Sequence, residues 1–150
     1  MALGCGALLS TIAGCSRAPE APPKEVQIQA DDKMRYDMTA FDAKPGQKIQ
    51  VTIKNIGTTP KFSMGHNFVM LDKSVNTSNV TKFLDAASTE AAHDYVPPGS
   101  KEVLAHSKLL GPGETDTVTF TAPYVPGEYL YLCSFPGHYS QGTKGFMTVK

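Results

Sequence analysis

Cys133-Ser134-Phe135-Pro136-Gly137-His138 sets a thiol and an imidazole with four residues between them, Pro-Gly among them in the turn. Proline fixes one backbone torsion and glycine permits a tight bend, so both side chains can point at one ion. A second imidazole, His66, follows Gly65 in a distant segment. One thiolate and two imidazoles make the ligand set of a trigonal copper site that passes single electrons. Thiolate favours Cu(I) and imidazole binds both oxidation states, so such a set serves both. Taken alone, Cys-x4-His has a plainer reading: a buried cysteine beside a loop histidine that never meets a metal. The metal reading needs a rigid fold that brings His66 to the other two.

The chain carries the elements of such a fold. Lys48-Ile49-Gln50-Val51-Thr52-Ile53-Lys54 alternates apolar and polar residues, the period of a half-buried strand, between Pro45-Gly46 and Asn55-Ile56-Gly57 turns. Val26–Gln29, Met34–Met38, Val103–His106, Asp116–Thr121, Glu128–Cys133 and Gly145–Val149 read as further strands, and His66–Leu71 as a buried one. Between Asn76 and Ala92, Val80, Phe83, Leu84 and Ala87 recur at helical spacing, with Thr77, Ser78 or Asn79 to cap the start. The pattern predicts an all-β antiparallel sandwich or barrel of about eight strands with one helical insertion.

Bulk composition narrows the function. The 150 residues suffice for one domain with a real core. Lys+Arg and Asp+Glu are equal at 14 each, and no basic run stands out, so a nucleic-acid partner is not expected. No apolar run is long enough for a membrane-spanning helix. Cys5, Cys15 and Cys133 fit no zinc spacing, and no disulfide is expected.

The N-terminus reads as an address. Residues 1–15 are apolar or small, ending in Ile12-Ala13-Gly14-Cys15. This resembles the lipobox of bacterial lipoprotein precursors, whose cysteine becomes the lipidated first residue of the mature chain. No Lys or Arg precedes the apolar segment, which a start site further upstream would explain. An ordinary cleaved signal peptide, giving a soluble periplasmic form, is the alternative. Residues 16–24 carry three prolines and read as an extended tether to a domain over residues 25–150.

Three blocks in order carry a family resemblance: Met64-Gly65-His66-Asn67-Phe68-Val69, Ala105-His106-Ser107-Lys108-Leu109-Leu110-Gly111-Pro112-Gly113-Glu114, and Cys133 to His138. They resemble the corresponding blocks of azurins and auracyanins, the likeness running over about residues 25–150. The resemblance implies a cupredoxin-like Greek-key fold, one mononuclear type 1 (blue) copper and one-electron transfer, and hence no enzyme activity. It makes His66, Cys133 and His138 the copper ligands and the Gly65 carbonyl a weak axial contact. It also has Asn67 hydrogen-bond across the two ligand segments, with the N–H groups of Asn67 and Phe135 aimed at the Cys133 sulfur.

The pattern departs from the family after His138. Aligning Lys144-Gly145 with the family's closing Lys-Gly puts Thr143 where an axial methionine would stand. Three outcomes stay open: no strong axial ligand, a weak contact from water or the Thr143 hydroxyl, or Gln141 swinging in. The cysteine pair of many azurins is absent, and Phe68 replaces a frequent tryptophan. His93 and His106 lack neighbouring donors and are not expected to bind metal.

Met64, Phe135, Pro136 and Tyr139 flank the expected ligands and could form an apolar rim for transient docking of redox partners near His138. The expectation is a monomeric blue-copper electron carrier of the bacterial envelope, lipid-anchored at Cys15. A periplasmic copper-binding or delivery protein is the alternative, although no Met- or His-rich tract supports exchange. A thiol enzyme using Cys133 with His138 as base lacks an orienting carboxylate.

Overall fold

A computed structural model describes residue 1 and residues 21–150. The leader, Cys15 and most of the tether therefore lie outside the described residues. Among those described, no helix is long and apolar enough to cross a membrane.

Eight strands form the body: β1 (Lys24–Ala30), β2 (Ala40–Ala43), β3 (Lys48–Asn55), β4 (Val69–Leu71), β5 (Val103–His106), β6 (Thr115–Thr121), β7 (Gly127–Leu132) and β8 (Lys144–Val149). They make a three-stranded sheet, β1-β3-β6, and a five-stranded sheet, β2-β8-β7-β4-β5. The fold is a sandwich and not a closed barrel. Both sheets are mixed rather than purely antiparallel, because β1 runs parallel to β3 and β2 parallel to β8. Alternation reports which face of a strand is buried and carries no information on strand direction.

Two apolar layers explain the sequence patterns. In β3, Ile49, Val51 and Ile53 point inward at 0% exposure and line the core beside Val26 and Ile28 of the neighbouring β1. The same core takes Phe68, Met70, Tyr129, Tyr131, Cys133 and Met147 from the larger sheet. The outer face of that sheet is covered as well. Helix α2 (Val80–Ser88) lays Val80, Phe83 and Ala87 against Val69, Leu71, Leu130 and Leu132. Strands β4 and β7 are thus buried on both faces, which is why their sequences run apolar without alternation. Leu84 of the helical stripe is half-buried at the edge of this layer.

Three local expectations change. Met34–Met38 is not a strand: Met34 has φ 55°, and only Tyr36 makes an isolated bridge, to Ala30. The strand here is β2, four residues on the sheet edge with one buried side chain. His66 does not open a strand, since β4 begins at Val69. Asn79 sits at the N-cap of α2 without capping it; its amide instead bonds Asn76 N–H and the Ser74 carbonyl, closing the preceding loop.

The β7–β8 pair carries the site and has no slack. Gly145 lies opposite Tyr131, and a Cβ there would run into the Tyr131 phenol and stand 2.6 Å from the Thr39 carbonyl. Overpacking of this kind costs about 1–3 kcal/mol. Gly145→Ala is expected to lower the unfolding free energy by that amount, read in urea denaturation as a lower midpoint at an unchanged slope.

Candidate metal centre

His66 is placed by a backbone bridge. Its N–H donates to the Leu110 carbonyl at 3.1 Å, and Leu110 N–H donates back to the His66 carbonyl at 2.7 Å. Just upstream, Pro60 leads into a single helical turn, α1 (Lys61–Met64), which ends at Gly65. A side chain at Gly65 would meet the Lys61 carbonyl at 2.7 Å and Leu109 at 2.8 Å, so only glycine lets the chain enter the site here.

Cys133 follows the last residue of β7. Its N–H donates to the Thr143 carbonyl at 3.0 Å, which holds it against the start of β8. The chain then turns through Gly137, whose φ of 85° lies in the left-handed region, into the short helix α3 (His138–Gln141). His138 N–H donates to the Phe135 carbonyl, and Thr143 N–H to the His138 carbonyl, both at 3.1 Å.

The two ligand segments are sewn together by Asn67. Its amide oxygen accepts from Ser134 N–H at 2.9 Å, and its amide nitrogen donates to Ser134 Oγ at 2.9 Å and the Asp94 carbonyl at 2.7 Å. Tyr36 OH donates to the Asn67 carbonyl from the core side.

This scaffold brings His66, Cys133 and His138 to one point. A nitrogen of each ring and the Cys133 sulfur all lie within 4.8 Å of one another. The sulfur is 3.4 Å from His138 Nδ1 and 3.9 Å from the Gly65 carbonyl. The two imidazole rings sit 4.7 Å apart. His66 and Cys133 are 0% exposed and His138 is 2% exposed. No other His, Cys, Asp or Glu group among the described residues converges so closely.

Electrostatics make the set neutral when it is metal-free. Burial pushes the Cys133 thiol up to about 12, opposed in part by the N–H groups of Asn67 and Phe135 facing the sulfur. Burial, then the neighbouring His66, pull His138 down to about 4. Burial also lowers His66, against the Asp31 main-chain carbonyl beside its ring.

Both ring nitrogens of His66 are buried without a hydrogen bond. An unpartnered buried polar group is costly, and a metal ion bound through one nitrogen would remove half of that cost. One soft sulfur with two imidazoles suits copper. The residues present fit that ion.

Residues 24–150 match the family model for copper-binding proteins of the plastocyanin/azurin family. This chain belongs to that family. Azurin from Achromobacter denitrificans is 39% identical over 119 residues, covering 77% of this chain and 78% of that one. Azurin from Pseudomonas aeruginosa is 35% identical over 151 residues, covering 99% and 97%. Among solved structures, reduced auracyanin from Roseiflexus castenholzii superposes with a TM-score of 0.75 at 34% identity, over 87% of this chain and 99% of that one. Auracyanin A from Chloroflexus aurantiacus, described as a "blue" copper protein, gives 0.76 at 27% identity, over 86% and 100%. The cofactor of this plastocyanin/azurin-family chain is one type 1 copper, and its class of activity is electron carriage.

Gln141 is exposed at the end of α3. The Thr143 hydroxyl, fully buried, donates to the Met34 carbonyl. His93 and His106 line a separate cavity of about 470 Å³, with the His93 ring on Glu90 and the His106 ring on the Ser107 carbonyl. Sequence reasoning missed two features. One is the Leu110 bridge, which periodicity cannot signal because it is a single residue pair. The other is Phe62, 84% exposed on α1, visible in the sequence only as an aromatic residue among polar ones.

Asn67→Ala leaves the buried Ser134 N–H without its acceptor, a loss of about 1–3 kcal/mol. Urea denaturation of the metal-free protein is expected to show it.

Acid acts on the histidines. The unfolded chain takes up protons near pH 6.5 that folded His138 accepts only near 4, so the unfolded state binds more protons between those values. The His138 contribution to metal-free stability is therefore expected to be lost as pH drops from 7 towards 4, as urea midpoints across that range would show. Replacing His138 by Gln should flatten part of the slope.

Proposed function

We propose that this chain carries single electrons between redox proteins of the bacterial cell envelope, held at a membrane surface by lipid on Cys15. The buried convergence of His66, Cys133 and His138 is the observation that carries the electron-transfer part. Copper bound there would supply a one-electron couple in a site that excludes water. The protein's part is to fix three ligands and aim two N–H groups at the sulfur, which stabilises its negative charge and tunes the potential. Burial of all three ligands supports holding copper rather than delivering it.

Partners dock near His138. The loop presents exposed Pro136 and half-buried Phe135 and Tyr139, and Phe135 packs on the His138 ring at 4.7 Å. Such an apolar rim suits a small, short-lived interface. The lipid anchor rests on the small residues before Cys15, and mass spectrometry of the protein from its native host tests it: an unmodified Cys15 removes the anchor.

Titration with Cu(II), followed by optical and EPR spectroscopy, tests the electron-transfer reading. One equivalent is expected to give an intense blue band and narrow copper hyperfine splitting, and Cys133→Ser is expected to abolish both. A colourless complex with ordinary copper EPR would remove Cys133 from the ligand set and with it this function.

A further inference from the structure

Thr143 ties down the segment that carries Cys133 and His138. Its carbonyl accepts from Cys133 N–H and its N–H donates to the His138 carbonyl. Its hydroxyl leaves the 133–144 loop altogether and donates to the Met34 carbonyl. Met34 belongs to the turn Asp31–Met34, whose first residue sets its carbonyl beside the His66 ring.

That turn is held in an uncommon shape. Met34 has φ 55°, a left-handed conformation that a residue with a side chain seldom adopts unless its surroundings enforce it. Met34 N–H closes the turn on the Asp31 carbonyl at 3.0 Å. The Asp32 carboxylate anchors one side by accepting from Thr58 N–H, Thr58 Oγ1 and Thr59 N–H. Ala30 and Tyr36 pair across its base. The Met34 carbonyl accepts from the Thr143 hydroxyl.

We infer that Thr143 is a positioning residue: its hydroxyl clamps the Asp31–Met34 turn to the loop that carries Cys133 and His138, and so fixes the carbonyl beside His66. The inference rests on the copper reading above for its function, while the clamp itself exists in the metal-free chain. A hydroxyl has one proton, and its commitment to Met34 fixes the orientation of the side chain. What that bond between two loops supplies is rigidity.

The test uses Thr143→Val, which keeps the shape and removes the hydroxyl, and Thr143→Ser, which keeps the hydroxyl. Hydrogen exchange of the metal-free full chain is expected to be severalfold faster across residues 32–36 in Thr143→Val and normal in Thr143→Ser. The Cu(II)-loaded Thr143→Val protein is expected to keep the wild-type EPR spectrum while losing copper to excess EDTA severalfold faster, again with rescue by serine. Unchanged exchange in Thr143→Val would overturn the clamp. An altered EPR symmetry in Thr143→Val that serine restores would overturn it too, since the hydroxyl would then be a ligand. Absence of a blue band in the wild type would instead sink the copper reading, leaving the exchange result to judge the clamp.

Discussion

The interior of this protein holds an imidazole that lies beside the Asp31 carbonyl without closing a hydrogen bond. Both nitrogens of His66 are sealed from water and unpartnered, a few ångströms from a thiol that burial keeps protonated. A chain free to relax would turn that ring towards solvent. The metal centre therefore depends on backbone contacts strong enough to hold unsatisfied donors in place before any ion arrives.

Those contacts come from four separate parts of the sequence. Leu110 fixes the backbone of His66, Asn67 ties that segment to Ser134 beside the cysteine, Thr143 holds both Cys133 and His138, and the Asp31–Met34 turn closes over the set. Each is a short hydrogen-bonded span between loops, and the two sheets beneath supply the rigidity that the loops lack. Helix α2 contributes indirectly by burying the outer faces of β4 and β7, the strands from which Asn67 and Cys133 emerge at one end of the sandwich. Low reorganisation on electron transfer follows from this arrangement: when the charge on the site changes, no ligand has an alternative position to move into.

The centre was more legible in the sequence than the fold around it. Cys133-Ser134-Phe135-Pro136-Gly137-His138 encodes its own geometry, because Pro-Gly fixes the turn between two ligands. The apolar stripe Val80, Phe83, Ala87 and the alternation of β3 likewise state which side chains are buried. Parallel pairing of β1 with β3 was invisible, since an alternating strand looks the same in either direction. The Met34–Met38 alternation misled because Tyr36 is buried from within a tight turn, and β2 escaped notice because a four-residue edge strand leaves almost no periodic trace. The fate of the Thr143 hydroxyl could not be read at all: its acceptor is a main-chain carbonyl, which every residue possesses.

On this structure the fold, and not the ion, sets the ligand geometry. The direct measurement is a pair of high-resolution crystal structures of this protein, metal-free and loaded with copper. Preorganisation predicts that His66, Cys133 and His138 superpose to within about 0.5 Å, the tolerance of a held functional site. A metal-free structure with the His138 loop swung outward, or the His66 ring turned to another partner, would show that copper builds the site and would contradict the account.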